Sequence, residues 1–324
     1  MHFIREGTGD GRLDRGDRAG SRVQRADLAP THHFTVDVEE YFQVSAFERR
    51  ISRAEWDRFE SRVAPTVCRI LDLLGRHDAR GTFFVLGWVA ERHPGLVRTI
   101  AQAGHEVASH GWDHRKVTDQ TPEEFYESVR RAREVLEATA GSPVSGFRAP
   151  SFSIVPGREW AIDALIETGH RYDSSLFPVR RSRYGYPDGL RRPYRIGRPA
   201  GTLIEVPPAT LRWGPWNLPA AGGAYFRLFP YGLVRAALLD SERKGIPATF
   251  YIHPWEIDPD QPRLDVAWTT RIRHYGGIER TLGRLRRLLE EFRFQTISET
   301  AAALERADGR TPHDAAQPPL RPAV

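Results

Sequence analysis

The sequence predicts a single α/β catalytic domain, built as a distorted (β/α) barrel of seven or eight parallel strands. Three observations lead to this prediction. Short runs that favour β-strands alternate with helical patterns, glycines stand where several helices end, and no Gly-rich phosphate-binding loop follows the first strand. Alternating strands and helices form right-handed βαβ units with parallel strands. Seven or eight such units favour a closed or nearly closed barrel over an open doubly wound sheet.

The predicted strands are spread over the whole central part of the chain. Each is short, rich in β-branched, aromatic or other apolar residues, and bounded by turn-forming residues. They cover His33–Asp37, Gly81–Leu86, Glu106–His110, Ser145–Arg148, Arg171–Ser174, Thr202–Val206, Ala248–His253 and Phe294–Ser298.

Helical patterns separate many of these strands, and the longest runs from Pro122 to Ala140. Its apolar residues recur at helical spacing, which predicts one buried face. That face consists of Phe125, Val129, Ala132 and Leu136. Glycines end several helices just before the next strand, as a left-handed C-cap requires. These glycines are Gly104, Gly141, Gly169 and Gly245.

Composition limits the class of protein. The chain has 324 residues, of which 40% are hydrophobic and 27% charged, so it can bury a core and is not disordered as a whole. Residues 1–30 are expected to form a disordered leader, because they lack the apolar core of a secretory signal. Residues 307–324 are expected to form a loose tail. The folded domain is therefore expected to cover residues 31–306. No uninterrupted apolar run reaches the roughly 18 residues of a membrane span. The single cysteine, Cys68, excludes an internal disulfide and is expected to be an inert core thiol.

The basic charge does not predict binding to nucleic acid. The net charge is +5, but the chain has only two lysines, Lys116 and Lys244, and its arginines are spread along the sequence between acidic residues. Such a distribution is typical of a solvated surface, with a preference for acidic polymers or lipids at most. The sequence gives no indication of the oligomeric state.

Polar residues follow one strand after another, and this is the strongest functional signal in the sequence. Barrels of this class place their active sites at the C-terminal ends of the strands. Scattered surface charges would not fall at successive strand ends. The residues found there are Asp37 and Glu39, His110 and His114, Arg148, Asp173, Glu205 and His253.

Asp37 and Glu39 are two residues apart, so on a strand they project from one face, about 7 Å apart along the chain. Two converging carboxylates can divide the work, one binding a metal ion and one acting as a base. Taken alone, the pair could equally be solvated loop acids. Glu40 faces the other way and is not expected to be a ligand.

His110 and His114 can reach one metal ion if their segment turns helically, because residues i and i+4 share a helix face. Two imidazoles and one carboxylate with open positions suit zinc or another borderline divalent ion that activates water. Asp113, between the histidines, is expected at the surface or behind the ligands.

Arg148 and His253 complete the predicted set. A buried arginine needs a carboxylate partner, and Asp37 is the natural candidate for Arg148. His253 could be a core histidine, but it ends an apolar strand at the same barrel edge, which favours a general acid near neutral pH.

These residues lie in motifs that resemble those of the polysaccharide deacetylases, the NodB-homology proteins of carbohydrate esterase family four. The resemblance spans about residues 31–300. In order, the motifs are Thr-Val-Asp-Val-Glu, Ser-His-Gly-Trp-Asp-His, Phe-Arg-Ala-Pro, Tyr-Asp-Ser-Ser and Ile-His-Pro. The segments Gly-Gly-Ala-Tyr-Phe-Arg-Leu-Phe-Pro-Tyr and His-Pro-Trp-Glu-Ile-Asp-Pro are similar to the subgroup found with exosortase and PEP-CTERM exopolysaccharide loci.

The resemblance implies a metal-dependent N-deacetylase with a role for each residue. It implies Asp37 as catalytic base, Arg148 as the arginine that orients it, and His253 as the acid that protonates the leaving amine. Glu39, His110 and His114 would be the metal ligands, with Zn²⁺ as the expected ion. Asp173 would be the aspartate that tunes His253.

The sequence departs from the family pattern at two positions. The usual adjacent Asp-Asp is here Asp37-x-Glu39, which resembles the branch that includes amidohydrolases acting on small ring amides. The usual tyrosine after Arg-x-Pro is here Ser151, whose backbone N–H would face the oxyanion. Both departures concern the substrate more than the chemistry.

The expected activity is removal of acetyl groups from N-acetyl-hexosamine residues of a polysaccharide or its lipid-linked precursor. The expected location is cytoplasmic or peripheral at a membrane. Candidates for stacking on sugar faces are Trp112, Trp213, Trp216 and Tyr225, each of which could equally serve packing. Two alternatives remain: an amidohydrolase of the same fold that opens a cyclic amide or imide, and a catalytically silent carbohydrate-binding protein.

Overall fold

The computed structural model describes residues 31–181 and 184–308. The predicted leader, and the predicted tail from residue 309 on, lie outside these residues. Of the helices in the described ranges, none combines the length and the apolar character that a membrane span needs.

One large sheet and one hairpin contain all the strands of the described residues. The strands are β1 His32–Val38, β2 Thr82–Val85, β3 Glu106–Ser109, β4 Gly146–Phe147, β5 Tyr172–Asp173, β6 Tyr194–Arg198, β7 Gly201–Glu205, β8 Thr210–Trp213, β9 Trp216–Pro219, β10 Thr249–Ile252 and β11 Phe294–Gln295.

The large sheet confirms the predicted barrel architecture in a single domain. Seven parallel strands follow in the order β10-β1-β2-β3-β4-β5-β7, and β11 pairs in parallel with the start of β1. An isolated parallel bridge between Pro208 and Thr249 links the two ends of this parallel path. The sheet is therefore curled into a distorted barrel that closes through little more than one bridge.

Helices and short 3-10 segments connect these strands. The α-helices are Val63–Arg76, Gly87–Arg92, Pro94–Gln102, Pro122–Ala140, Trp160–Glu167, Gly223–Leu228, Tyr231–Arg243, Trp268–Tyr275, Ile278–Glu291 and Ile297–Asp308. The 3-10 turns are Arg53–Arg58, Val117–Asp119, Pro150–Phe152 and Pro254–Ile257.

The helix Pro122–Ala140 has the predicted bounds and buries the predicted face. The Thr121 side chain accepts a hydrogen bond from the Glu124 backbone, and the Glu124 carboxylate accepts one from the Thr121 backbone, which closes a capping box at its start. Gly141, with φ at 69°, ends it in the left-handed conformation that a residue with a Cβ rarely adopts.

All eight predicted strands are present, but three others were not predicted. β6 is an antiparallel edge strand beside β7, and β8 and β9 form a separate hairpin. Neither region contains the run of successive apolar residues that marks the buried parallel strands, because edge strands and hairpins leave one face to solvent. The prediction that Cys68 lies in the core was wrong. Its side chain is exposed on the helix Val63–Arg76, whereas the preceding residue, Val67, belongs to the buried face of that helix.

The first strand shows how the barrel interior becomes polar. Successive side chains of a strand point to opposite faces. Phe34, Val36 and Val38 belong to the apolar core. Thr35 and Asp37 lie on the other face, where both contact the buried guanidinium of Arg148. The strand is thus buried on both faces, and its polar face leads to the site.

Candidate active site

The predicted residues meet at the C-terminal edge of the parallel strands. Asp37 lies in β1 and Glu39 directly follows it. His110 directly follows β3, Arg148 follows β4 and His253 follows β10. Because the strands are parallel neighbours in one curled sheet, their ends bring these distant parts of the chain together.

Glu39, His110 and His114 form a compact group of buried ligand atoms. One ligand atom from each lies within 4.8 Å of those of the other two. The Nε2 atom of His114 is 2.8 Å from Oε2 of Glu39. Among the described residues this is the one group of three such side chains that could hold a metal ion.

The two histidines converge by a different route from the one predicted. The segment between them is not helical. Gly111 and His114 instead have positive φ angles of 76° and 57°, which turn the chain back toward β1. A histidine in this region is strained by about 1–3 kcal/mol, and such strain is typical of functional positions.

Hydrogen bonds from neighbouring groups orient the ligands. Nδ1 of His110 lies 2.8 Å from the Arg148 carbonyl oxygen, so it is protonated and Nε2 presents its lone pair. Burial lowers the pKa of His110 to about 4, which keeps it neutral. Burial raises the pKa of Glu39, but its electrostatic interactions with His114 and His253 outweigh this effect, and the pKa falls to about 2. Trp255 Nε1–H donates a hydrogen bond to Glu39 Oε1 over 3.1 Å.

This donor set fits a divalent cation. It offers a neutral imidazole, a second imidazole and an ionised carboxylate, all buried, and three protein ligands leave further positions open. Glu39 Oε2 is buried and accepts no hydrogen bond among the described residues, and its contact with His114 Nε2 at 2.8 Å is an ion-pair contact, so a cation bound by these two atoms would satisfy the carboxylate oxygen.

Asp37 is held by the expected ion pair. Nη1 of Arg148 donates to Asp37 Oδ1 over 2.7 Å and to Thr35 Oγ1 over 2.7 Å. The remaining donors of Arg148 reach the carbonyl and the hydroxyl of Ser174 at 3.2 and 2.9 Å. Arg148 is fully buried, and its guanidinium lies 4.2 Å above the Phe84 ring. The carboxylate of Asp37 is therefore fixed in position by a buried cation that itself makes four hydrogen bonds.

His253 faces both carboxylates. Its Nε2 atom is 3.8 Å from Asp37 Oδ2 and 3.7 Å from Glu39 Oε1. Burial lowers the pKa of His253, but the charges of Glu39, Glu256 and Asp37 and the hydrogen bond to Glu256 outweigh it, and the pKa rises to about 9.

Glu256, and not Asp173, is the carboxylate against His253. Nδ1 of His253 is 2.8 Å from Oε1 of Glu256, which is fully buried. The Nε atom of Arg227, buried as well, lies 3.4 Å from the other Glu256 oxygen. The pair His253 and Glu256 was not predicted, because the resemblance implied a partner on another strand, Asp173, whereas Glu256 lies three residues beyond His253 in the turn Pro254–Ile257.

Asp173 has a different partner. It lies opposite Glu205 in the register of β5 and β7, and both side chains are buried. Ser175 Oγ donates to Asp173 Oδ1 over 2.5 Å, and the Leu176 N–H donates to Glu205 Oε1 over 3.0 Å. Burial and the neighbouring Asp173 charge raise the pKa of Glu205 well above its usual range. This pair lies behind Arg148 and Ser174 rather than beside His253.

Ser151 lies at the edge of the site in an unusual backbone conformation. Its φ is 57°, and that of Phe152 is 54°. Its hydroxyl is 2.7 Å from that of Ser45, in the segment that follows β1. Two consecutive non-glycine residues in the left-handed region are costly, and they re-aim the chain directly after Arg148.

The four predicted sugar-stacking aromatics fall into two groups. Trp112 packs beneath Arg131, whose guanidinium is 3.4 Å from its ring, and against Gly87, so it serves packing. The Tyr225 hydroxyl is 2.8 Å from that of Tyr184.

Trp213 and Trp216 differ from these two. They stand opposite each other at the tip of the β8–β9 hairpin and are 69% and 68% exposed. Of the four predicted aromatics, these two are the ones with largely exposed rings.

Two family models match the chain. The one described as "Polysaccharide deacetylase" matches residues 57–163. The one described as "Domain of unknown function (DUF3473)" matches residues 174–302. His110, His114 and Arg148 fall in the first match and His253 in the second.

Among curated proteins, the chain is similar to deacetylases of glycans. It is 32% identical over 124 residues to the peptidoglycan-N-acetylglucosamine deacetylase PgdA of Listeria monocytogenes, covering 36% of this chain and 26% of that protein. It is 36% identical over 89 residues to a chitooligosaccharide deacetylase of Azorhizobium caulinodans, covering 27% of this chain and 41% of that protein. The chain thus spans a quarter to two fifths of the length of these relatives.

Solved structures share the fold. A Mycobacterium smegmatis protein, provisionally described as a polysaccharide deacetylase, superposes with a TM-score of 0.62 at 24% identity over 90% of this chain and 94% of that one. An allantoinase superposes with a TM-score of 0.58 at 18% identity over 87% and 92% of the two chains. At these identities the likeness concerns the fold.

Proposed function

We propose that this chain, which carries a polysaccharide deacetylase domain, is a hydrolase that removes acetyl groups from N-acetyl-hexosamine residues of a polysaccharide or its lipid-linked precursor. One observation carries the proposal. A carboxylate fixed by a buried arginine, a buried Glu-His-His group and a histidine with its own carboxylate all meet at one end of the barrel. These are the parts that hydrolysis of an amide requires.

Each residue of the site has its own role in the proposed reaction. Glu39, His110 and His114 would hold a divalent ion, most simply Zn²⁺, which when bound polarises a carbonyl and lowers the pKa of water. Asp37, aimed by Arg148, takes a proton from the attacking water as its oxygen bonds to the acetyl carbon. The C–N bond then breaks, and His253 gives its proton to the departing nitrogen. Acetate and a free amine are the products.

The environment of His253 suits a proton donor. In the metal-free protein the pKa of His253 is raised to about 9, which favours the protonated form at neutral pH, and Glu256 lies against Nδ1 so that Nε2 faces the two carboxylates of the site. Glu256 is thus a positioning residue, and Arg227 forms an ion pair with it at 3.4 Å. This arrangement replaces the role that the resemblance implied for Asp173.

A glycan substrate is supported by the deacetylase names of the relatives and by the exposed pair Trp213 and Trp216, which could stack on sugar rings. The assignment to an exopolysaccharide rests on the resemblance of the C-terminal motifs. We expect Trp213→Ala/Trp216→Ala to raise KM for a polymer while leaving KM for a monosaccharide unchanged.

The test measures acetate release from N-acetylated glycans and from cyclic imides, together with bound metal. Asp37→Asn should abolish most of the activity. Asp113→Asn is the control and should retain the activity, because Asp113 is next to His114 in the chain but forms an ion pair with Arg53 rather than with a residue of the site. Hydrolysis of an imide without acetate release from any glycan would assign the chain to the cyclic amidohydrolases. Glycan binding without turnover would make it a silent binding protein.

A further inference from the structure

Four exposed apolar side chains form a surface that the proposed reaction does not use. Leu228, Phe229, Trp268 and Ile272, here called the apolar patch, are 42%, 47%, 72% and 52% exposed. Large apolar side chains exposed singly are ordinary, but a contiguous group of them marks an interaction site.

The members of the apolar patch are neighbours. Trp268 and Ile272 are four residues apart on the helix Trp268–Tyr275 and share one face. Leu228 lies against the end of that helix, since a Cβ added at Gly276 would be 2.7 Å from Leu228 Cδ2 and 2.5 Å from the Ile272 carbonyl oxygen. Phe229 follows directly in the chain and stacks on Tyr225.

The chain segment that carries Trp268 and Ile272 is rich in arginine. Residues 263–287 contain seven arginines and two acids, Asp265 and Glu279, for a net charge of +5, as large as that of the whole chain. Arg271, Arg273 and Arg280 are exposed, and within the described residues none of them forms an ion pair. Elsewhere on the surface many arginines are paired, for example Arg92 with Asp57.

The apolar patch lies next to the candidate active site. The helix that carries Trp268 and Ile272 also carries His274, which is buried and stacks on Trp255 with ring centroids 4.3 Å apart. Trp255 in turn stacks on His253 at 5.1 Å. Three stacked rings therefore connect the base of this exposed helix to the proposed proton donor.

We propose that the apolar patch and its arginines form a docking surface for an anionic lipid bilayer. Apolar side chains flanked by unpaired arginines match the interfacial region of such a membrane, where apolar groups enter the acyl boundary and cations bind the headgroups. A second copy of the chain is a poorer occupant, because it would bring the same excess of positive charge to the contact. Docking here would hold the open end of the barrel near the bilayer, where a lipid-linked glycan would be presented.

The experiment is sedimentation of the full chain with vesicles of phosphatidylcholine, with and without phosphatidylglycerol. We expect binding to the anionic vesicles only, with an affinity that falls as salt is added. Arg271→Gln/Arg273→Gln should weaken binding by about thirtyfold. Trp268→Ser/Ile272→Ser should weaken it by at least about tenfold.

Trp213→Ser/Trp216→Ser is the matched control, because it removes two equally exposed tryptophans outside the apolar patch and should leave vesicle binding unchanged. Acetate release from a soluble chitooligosaccharide should also be unchanged in Trp268→Ser/Ile272→Ser, which separates docking from the proposed activity. Equal binding to neutral and anionic vesicles, or no binding, would overturn the proposal. So would a dimer in solution that Trp268→Ser/Ile272→Ser converts to a monomer.

Discussion

Replacing Arg148 by methionine should destabilise the fold as well as stop the reaction. Arg148 is fully buried and bonds Thr35, Asp37 and Ser174. Methionine fills similar space but leaves the Asp37 carboxylate, whose side chain is 3% exposed, without its cation. Removing one partner of a buried pair typically costs about 3–5 kcal/mol. We expect a loss of that size in the free energy of unfolding.

A second substitution separates the lost pair from the lost packing. In Arg148→Met/Asp37→Asn the buried carboxylate becomes a neutral amide, so about 1–3 kcal/mol should return relative to Arg148→Met. Activity should not return, because Asp37 is the proposed base. The measurement is urea-induced unfolding followed by circular dichroism, with acetate release assayed in parallel.

An exposed arginine provides the control. Arg130→Met removes ion pairs with Glu127 and Glu134 on the outer face of the helix Pro122–Ala140 and should change stability little. The reasoning would be refuted if the free energy of unfolding of Arg148→Met were within about 1 kcal/mol of the wild-type value. It would also be refuted if the added Asp37→Asn lowered stability further.

Three further predictions follow from the same geometry. Asp37→Asn should reduce amide hydrolysis by ~10²–10⁴-fold with metal content unchanged, whereas Glu39→Ala should lower the metal content itself. Elemental analysis together with the acetate assay distinguishes the two variants. Equal loss of metal in both variants would contradict the proposed roles of Asp37 and Glu39. In chelated protein the pKa of His253 is raised from 6.5 to about 9, so the stabilisation from its protonation is complete below about pH 6.5 and is lost as the pH rises toward 9. Unfolding measured across that window should show this decline, and in Glu256→Gln the decline should be smaller and should end at lower pH. Thr121→Ala removes the helix cap and should cost about 1 kcal/mol of stability without affecting hydrolysis, which thermal unfolding and the acetate assay check together.

The parallel barrel could be predicted because each strand is a short buried run, and because several of the helices between the strands end in a glycine. The site residues at their C-terminal ends were predictable for the same reason: parallel strands bring their ends to one edge. The helix Pro122–Ala140 was predictable to its bounds, since its cap, its buried face and its final glycine agree.

Other features depend on contacts that a linear pattern does not contain. The left-handed turn at His114 was not predictable, because histidine has no local preference for it and the surrounding fold imposes the conformation. Glu256 looked like one more acid in a turn until its burial against His253 and Arg227 was visible. Cys68 was misplaced because a single residue beside an apolar stripe cannot be assigned to a face by composition alone.

The position of β10 beside β1 joins the two matched segments of the chain in one sheet. The deacetylase match ends at residue 163, and β7, β10, His253 and Glu256 all belong to the segment matched as a domain of unknown function. That segment is therefore no appended module: it supplies the strand that flanks β1 on the side opposite β2, together with the proposed proton donor. A fragment ending near residue 163 would keep all three proposed metal ligands and yet expose one edge of its central strand. Replacing either matched segment by an unrelated sequence would therefore remove strands of the barrel wall together with residues of the candidate active site.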